Sequence, residues 1–473
     1  MAMGSRGGPR QVELFVTTTS LPETPRHVFY ERLNKLLAEH EFDPHLENLC
    51  EPYYDKAGRK SIPPGVYFRM LLIGYFEGLD SQRGIAWRCA DSLSLKQFLG
   101  YRLTDATPDH SSLTRIRNRL PLQVHEQVFA IVLAIVQKSL LVTGTLVGVD
   151  STMVEANAAM KTIVRRDSGE DWKAYLKRLM IEAGEIEEDD EPGDDELRKF
   201  DRKRKDKKVS NQEWTSEVDP DARIVKMKDG RTHLGYKVEH VIDLDTEVIL
   251  HAGVYHGDQS DTETLVESVI AAQSNCTTSS LHSDDPPSEI SAVVADAGYF
   301  KQELLSELEA EGFQPFIAEP AYKGKPNEKT PHANARQYNR IRNRGALGRQ
   351  LQRQRSERVE RSFAHTCETG RARRSHLRGL DSIRKRYTIH AAARNLGTLL
   401  RQLIGVGTPR ELAGAWKRMK VEIAAWLEEF YAIRSRHLRL PNARGQHGLR
   451  FLRSHREKRH TLRANKPRFQ IAS

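Results

Sequence analysis

The sequence predicts an α/β protein: a mixed sheet flanked by helices, preceded by an all-α N-terminal domain. Two patterns predict it. Residues 25 to 145 carry mostly helical spacing, and from residue 146 the chain reads strand, two hairpin strands, helix, strand, helix, strand. Length bounds the class further, because 473 residues with 38% hydrophobic content can bury a large core in two or more folded units, which excludes a disordered chain.

In the helical block the densest apolar segment is VYFRMLLIGYFEGL at 66–79, too short and too interrupted for a membrane span. After it, Pro108, Asp109 and Ser111 offer helix-start chemistry ahead of SLTRIRNRL. Arg115 and Arg119 share a face of that helix, with Arg117 to one side. Such a face suits phosphates in a small helical DNA-binding unit, and it equally suits a solvated basic face on a core helix.

The first strand is TLVGVDSTMVEA, whose Leu146, Val147 and Val149 lead into Asp150. Residues 161 to about 222 then interrupt the pattern with GEIEEDDEPGDDEL and RKFDRKRKDKKVS, a charged block expected to be a mobile insertion with one helix in DWKAYLKRLMIEAG. THLGYKVEHVIDL and EVILHAGVYH follow as a hairpin around the turn-prone Asp245 and Thr246. Ser260 stands three residues ahead of Glu263 in a capping-box pattern, so Asp261 reads as helix-start chemistry. Next come the strand of VVADAGYF, a helix in KQELLSELEAEG and a last strand in FQPFIAEP. Three meandering strands followed by βα units is the order of a ribonuclease H-like sheet.

Residues 321 to 349 are polar and basic with little periodicity, and read as a disordered or DNA-tracking loop. In RQLQRQRSERVERSFAHTC, Val359 and Phe363 stand four apart, so a helix can bury that edge. TIHAAARNLGTLLRQLIG reads as a closing amphipathic helix. Beyond it lie one more helical pattern and a stretch from Arg439 to Arg468 whose only acid is Glu457, expected to be disordered without a polyanion.

A formal net charge of +10 favours polyanionic partners, nucleic acid or an anionic membrane surface, and charge alone does not choose between them. Cys50, Cys89, Cys276 and Cys367 form no CxxC pair, which argues against a disulfide framework or zinc site, and His233, His240 and His256 lack a compact ligand spacing. With no apolar run of about 20 residues and no secretion signal in the polar opening, the expectation is a soluble, intracellular protein.

Asp150 and Asp296 share a context, each ending an apolar strand before a small or turn-forming residue. In the predicted sheet those strands are neighbours. Two close carboxylates repel unless a positive charge sits between them, and Mg²⁺ takes oxygen ligands from one or two carboxylates plus substrate phosphate. A third acid from the helix after the last strand would complete two metal positions suited to in-line phosphoryl displacement. The competing reading makes Asp150 and Asp296 turn residues that bond their own backbone.

These motifs identify a resemblance. The chain resembles DDE-type insertion-sequence transposases with a helical N-terminal domain, through FLGYRLTDATPDHSSLTRIRNRL, VGVDSTMVEANA, DPDARIVKMKDGRTHLGYKVEHVID, VADAGYF and VERSFAHTCETGRARRSHLRGL. The resemblance implies Asp150, Asp296 and Glu360 as catalytic metal ligands, Glu360 because the family's glutamate commonly precedes a phenylalanine by three positions, here Phe363. Glu357 is the local rival. Where relatives frame the glutamate with tyrosine, arginine and lysine, this chain has Arg353, Ser356 and Cys367, leaving Arg355 and Arg358 as substitutes for phosphate contact.

The implied domains are a flexible 1–24, a helical DNA-binding 25–145, a catalytic 146–404 and a basic tail 405–473. The implied activity is cleavage at the ends of a mobile element, which frees 3′-hydroxyls that attack target DNA. Its implied requirements are Mg²⁺, with Mn²⁺ as substitute, terminal inverted repeats and target DNA, and a homodimer to join two ends in the cytoplasm at the nucleoid. A metal-dependent nuclease of the same fold and a catalytically silent DNA-binding regulator are the alternatives.

Overall fold

The computed structural model describes residues 27–55, 57–58, 61–140, 142–205, 211–282, 287–320 and 331–414. The expected flexible opening at 1–24, and the helical pattern and basic tail beyond residue 414, lie outside the described residues.

Helices α1 (Val28–Glu39), α2 (Phe42–Cys50), α3 (Pro64–Glu77), α4 (Gln82–Asp91), α5 (Leu93–Phe98), α6 (His110–Arg119) and α7 (Leu122–Leu140) make up the N-terminal region. Apolar on all sides, α3 is buried along almost its whole length, as such a helix must be. It stops at Gly78, whose φ of 64° suits a residue without a Cβ. Helix α6 starts as the sequence predicts, with Asp109 accepting from the Ser112 amide at 2.8 Å.

Strand β1 (Leu146–Glu155) begins the sheet. The charged block follows it, and its described residues form the expected helix and three further elements: β2 (Ile163–Arg165), α8 (Trp172–Glu182), α9 (Asp194–Lys203) and β3 (Trp214–Ser216). Leu176, Met180 and Leu197 give it a small core, and the Arg165 guanidinium stacks 4.7 Å from the Tyr175 ring. Its charge order has a local reason. Asp194, Asp195 and Glu196 occupy the first turn of α9 and Arg202 and Lys203 its last, each sign at the helix end whose dipole favours it.

Next come β4 (Arg223–Lys226), β5 (Thr232–Asp243), β6 (Ile249–His256), α10 (Asp261–Ser280), β7 (Ala292–Ala295), α11 (Gln302–Ala310) and β8 (Gln314–Ile317). Strand β1 is central, antiparallel to β5 and parallel to β7, and β7 is parallel to β8; the far edge of β5 takes β4 and β6. This is the order of the ribonuclease H-like sheet. Helix α12 (Ala333–Arg344) forms inside the stretch expected to be loop, and α13 (Ala346–Ala364) and α14 (Leu380–Ile404) close the described fold.

One face of β1 meets α13 closely. A Cβ at Gly148 would lie 3.1 Å from Val359 Cγ2 and 3.3 Å from Arg355 Cγ, so glycine sets how near that helix can come. On the same face, the buried His240 stacks on Phe363 at 4.1 Å and bonds Ser362 and Tyr387. One hydrophobic core runs from Phe76 and Leu133 in the helices to Val147, Val293 and Leu396 around the sheet. No single described helix is long and apolar enough to cross a membrane.

Candidate active site

Parallel pairing between β1 and β7 sets Leu146 opposite Ala292, Val147 opposite Val293 and Gly148 opposite Val294. Two residues further along each strand stand Asp150 and Asp296. Both carboxylates therefore emerge at the same edge of the sheet, beyond the carboxyl end of β7, where open α/β sheets place their chemistry. They are near enough to interact: Asp296 is among the charges that raise the pKa of Asp150. Burial is the larger cause of that rise, and the Arg355 guanidinium opposes it.

Asp150 Oδ2 accepts from Arg355 Nη1 at 3.0 Å, and its Oδ1 accepts from the Ser151 amide at 2.8 Å. Asp296 Oδ1 accepts from the Gly298 amide at 2.8 Å, capping a single 3-10 turn at 297–299. The turn-aspartate geometry and the strand-mouth position thus coexist in one residue. Tyr299, at the end of that turn, donates to Glu239 Oε2 at 2.8 Å and ties the Asp296 turn to β5.

Glu360 is exposed on α13, on the stripe it shares with Ser356 and Phe363 at i−4 and i+3, and makes no hydrogen bond or ion pair among the described residues. Glu357 pairs instead with Arg361, which also binds Glu247 in the turn between β5 and β6, at the opposite end of β1. Arg358 faces that end too, 4.0 Å from Asp245. The structure thus brings Asp150, Asp296 and Arg355 together, and it does not draw Glu360 into contact with them. Among the described residues no three acid, histidine or cysteine side chains close around one point.

On α6, Arg115 is exposed and bonds Ser111, and Arg119 is exposed over the Tyr54 ring at 4.8 Å. Arg117 turns inward, its Nε and Nη1 buried without a hydrogen-bond partner.

Sequence reasoning missed two features. Lys237 and Asp261 form a 2.8 Å ion pair beside the acids, with Lys237 fully buried. A lysine and a glutamate two apart in the apolar strand THLGYKVEHVID share one face, and that was the available signal. The second is a groove beside β8, where Arg336 and Arg340 pair with Glu319 and the exposed Arg344, Arg349 and Arg353 have no carboxylate partner among the described residues. Gln352 links the groove to the acids, donating to the Ala295 carbonyl at 3.1 Å.

No curated protein and no solved structure matches the chain. Residues 20–119 match the model of a transposase domain (DUF772), and residues 162–396 match that of the transposase DDE domain, a range that holds Asp296 and Glu360 and begins after Asp150. With both models matched in order, the chain belongs to the DDE transposases, a family of DNA-cleaving enzymes that depend on divalent metal.

Proposed function

We propose that this transposase cuts the DNA ends of its own element and joins the freed 3′-hydroxyls to target DNA, with Asp150, Asp296 and Glu360 as the carboxylates of its cation positions. The observation that carries the reading is register, since parallel neighbours present Asp150 and Asp296 side by side at one sheet edge. The residues fit a divalent ion. A Cβ at Gly298 would lie 3.0 Å from Asp296 Oδ1, so the missing side chain leaves the face of that carboxylate open. Mg²⁺, or Mn²⁺ in its place, would supply Lewis-acid stabilisation of the entering and leaving oxygens of an in-line displacement.

The chain itself does the positioning. The two strands fix Asp150 and Asp296, and Arg355 balances Asp150 until an ion takes over that charge. Glu360 stands on the α13 stripe that leads through Phe363 to His240, the register partner of Asp150. Arg344, Arg349 and Arg353 offer donors to the phosphates of a strand lying past Asp296. Recognition of the element ends falls to residues 60–130, with Arg115 and Arg119 facing out, and joining two ends calls for a homodimer.

The test is a strand-transfer assay in Mg²⁺ with a pre-cut 3′-hydroxyl end taken from the flanks of the element. Joined product is expected from the native chain; cutting without joining would mark a nuclease. Asp150→Asn, Asp296→Asn and Glu360→Gln should each abolish cleavage and keep DNA binding. Glu357→Gln should stay active, and a dead Glu357→Gln beside an active Glu360→Gln would reverse the assignment.

A further inference from the structure

Asp261 is the first residue of α10 but not its cap. Ser260 fills that place, its amide donating to Glu263 Oε2 at 3.0 Å. The Asp261 carboxylate points to β1 and β5 instead. Its Oδ1 accepts from Ser151 Oγ at 2.7 Å, the residue next to Asp150, and forms an ion pair with Lys237 Nζ at 2.8 Å. Its Oδ2 accepts no hydrogen bond among the described residues. A Cβ at Gly298 would lie 3.1 Å from Asp261 Oδ2 and 3.0 Å from Asp296 Oδ1, so the two oxygens border the same space left open by a glycine.

Lys237 makes this arrangement possible. Fully buried, its ammonium also donates to Thr264 Oγ1 at 2.7 Å and lies 3.6 Å from Glu239, so one positive charge serves two carboxylates. Glu239 keeps a buried Oε1 without a hydrogen-bond partner. An ammonium that grips one oxygen of Asp261 and leaves the other facing Asp296 presents the carboxylate to a further positive charge.

We propose that Asp261 is an additional carboxylate ligand of the divalent-cation position formed by Asp150 and Asp296, held out to it by Lys237. The proposal rests on the assignment of Asp150 and Asp296 made above. Asp150 is turned to Arg355 in this structure, and it joins the other two when that pair opens.

The test is Mn²⁺ binding to the full chain without DNA, followed by electron paramagnetic resonance of the free ion, with thermal midpoints measured alongside. Asp150→Asn, Asp296→Asn and Asp261→Asn should each weaken binding by at least about ten-fold, the scale at which loss of a carboxylate near a metal is felt. Native Mn²⁺ affinity in Asp261→Asn, with Asp150→Asn and Asp296→Asn weakened, overturns this proposal and leaves the two-aspartate site standing. Native affinity in all three overturns the site itself.

Gly298→Ala covers the case in which Asp261→Asn fails to fold. The glycine has no positive φ to protect, so alanine suits the backbone, and its methyl enters between the two carboxylates without touching Lys237. It should weaken Mn²⁺ binding and keep the native thermal midpoint; native affinity in Gly298→Ala overturns the proposal.

Discussion

Arg355 is the residue on which the site turns. Its side chain is 10% exposed and that of Asp150 24%, so the pair is largely withdrawn from water and its loss should be felt. Replacing Arg355 by Gln leaves the Asp150 carboxylate half-buried without its counter-charge, and removing one partner of a buried pair costs about 2–4 kcal/mol when solvent still reaches one side. The expected result is a lower thermal midpoint in the absence of metal. Because Arg355 and a divalent ion compete for the same carboxylate, saturating Mg²⁺ should raise the midpoint of Arg355→Gln more than that of the native chain. Equal shifts in the two proteins would show that Asp150 takes no part in ion binding. The sequence made the positions of Asp150 and Asp296 legible because an apolar run that stops at a carboxylate is a local pattern, although only β7 ends there and β1 continues past Asp150 to Glu155. It gave no sign that Arg355, one turn before Glu360, would reach across to Asp150 when phosphate contact was its expected role, because that contact joins residues more than 200 positions apart.

At the scale of elements, two asparagines finish the sheet. Asn339 of α12 bonds both the amide and the carbonyl of Ile317 in β8, at 2.9 and 2.8 Å, and Asn395 of α14 bonds both groups of Ile249 in β6, each at 2.8 Å. A side-chain amide carries the same donor and acceptor as a peptide, so each stands in for the missing neighbour of a strand. Asn339→Ala should strand a buried amide and carbonyl in β8 and cost about 2–3 kcal/mol, the penalty for leaving such groups unpaired. Amide hydrogen exchange at Ile317 is the direct measurement, and unchanged protection there would refute the edge role. These contacts explain why α12 was illegible. It buries Ala335 and Asn339 and exposes Tyr338 and Ile341, so its anchor is polar and its apolar residues face outward, the reverse of what hydrophobic spacing detects. In the charged insertion α8 was legible and α9 was not, for a related reason: its few apolar residues, Leu197 and Phe200, pack on α8 between charges that agree with the helix dipole. The strands, by contrast, were legible because β-branched runs and turn residues are local signals.

Across the whole molecule, the net charge of +10 draws the chain to DNA without saying where. Several described arginines are already engaged, since Arg178 binds Glu170 and Glu182, Arg361 binds Glu247 and Glu357, and Arg394 is buried beside Glu247. Arg344, Arg349 and Arg353 differ in being exposed, clustered and without a carboxylate partner among the described residues, along the groove that Gln352 ties to the end of β7. Each phosphate neutralised on duplex DNA releases close to one counterion, so the slope of log affinity against log salt counts such contacts at roughly 0.9 per phosphate. Changing all three arginines to glutamine should therefore flatten that slope by roughly 2 to 3, for element ends and unrelated duplex alike, because phosphate contacts carry no sequence information. Fluorescence anisotropy of labelled duplex between about 50 and 200 mM salt, the range over which such contacts change affinity most visibly, reads the slope directly. A slope equal to that of the native chain would move the path of the DNA away from this groove, and a loss confined to element ends would turn these arginines from backbone contacts into readers of sequence.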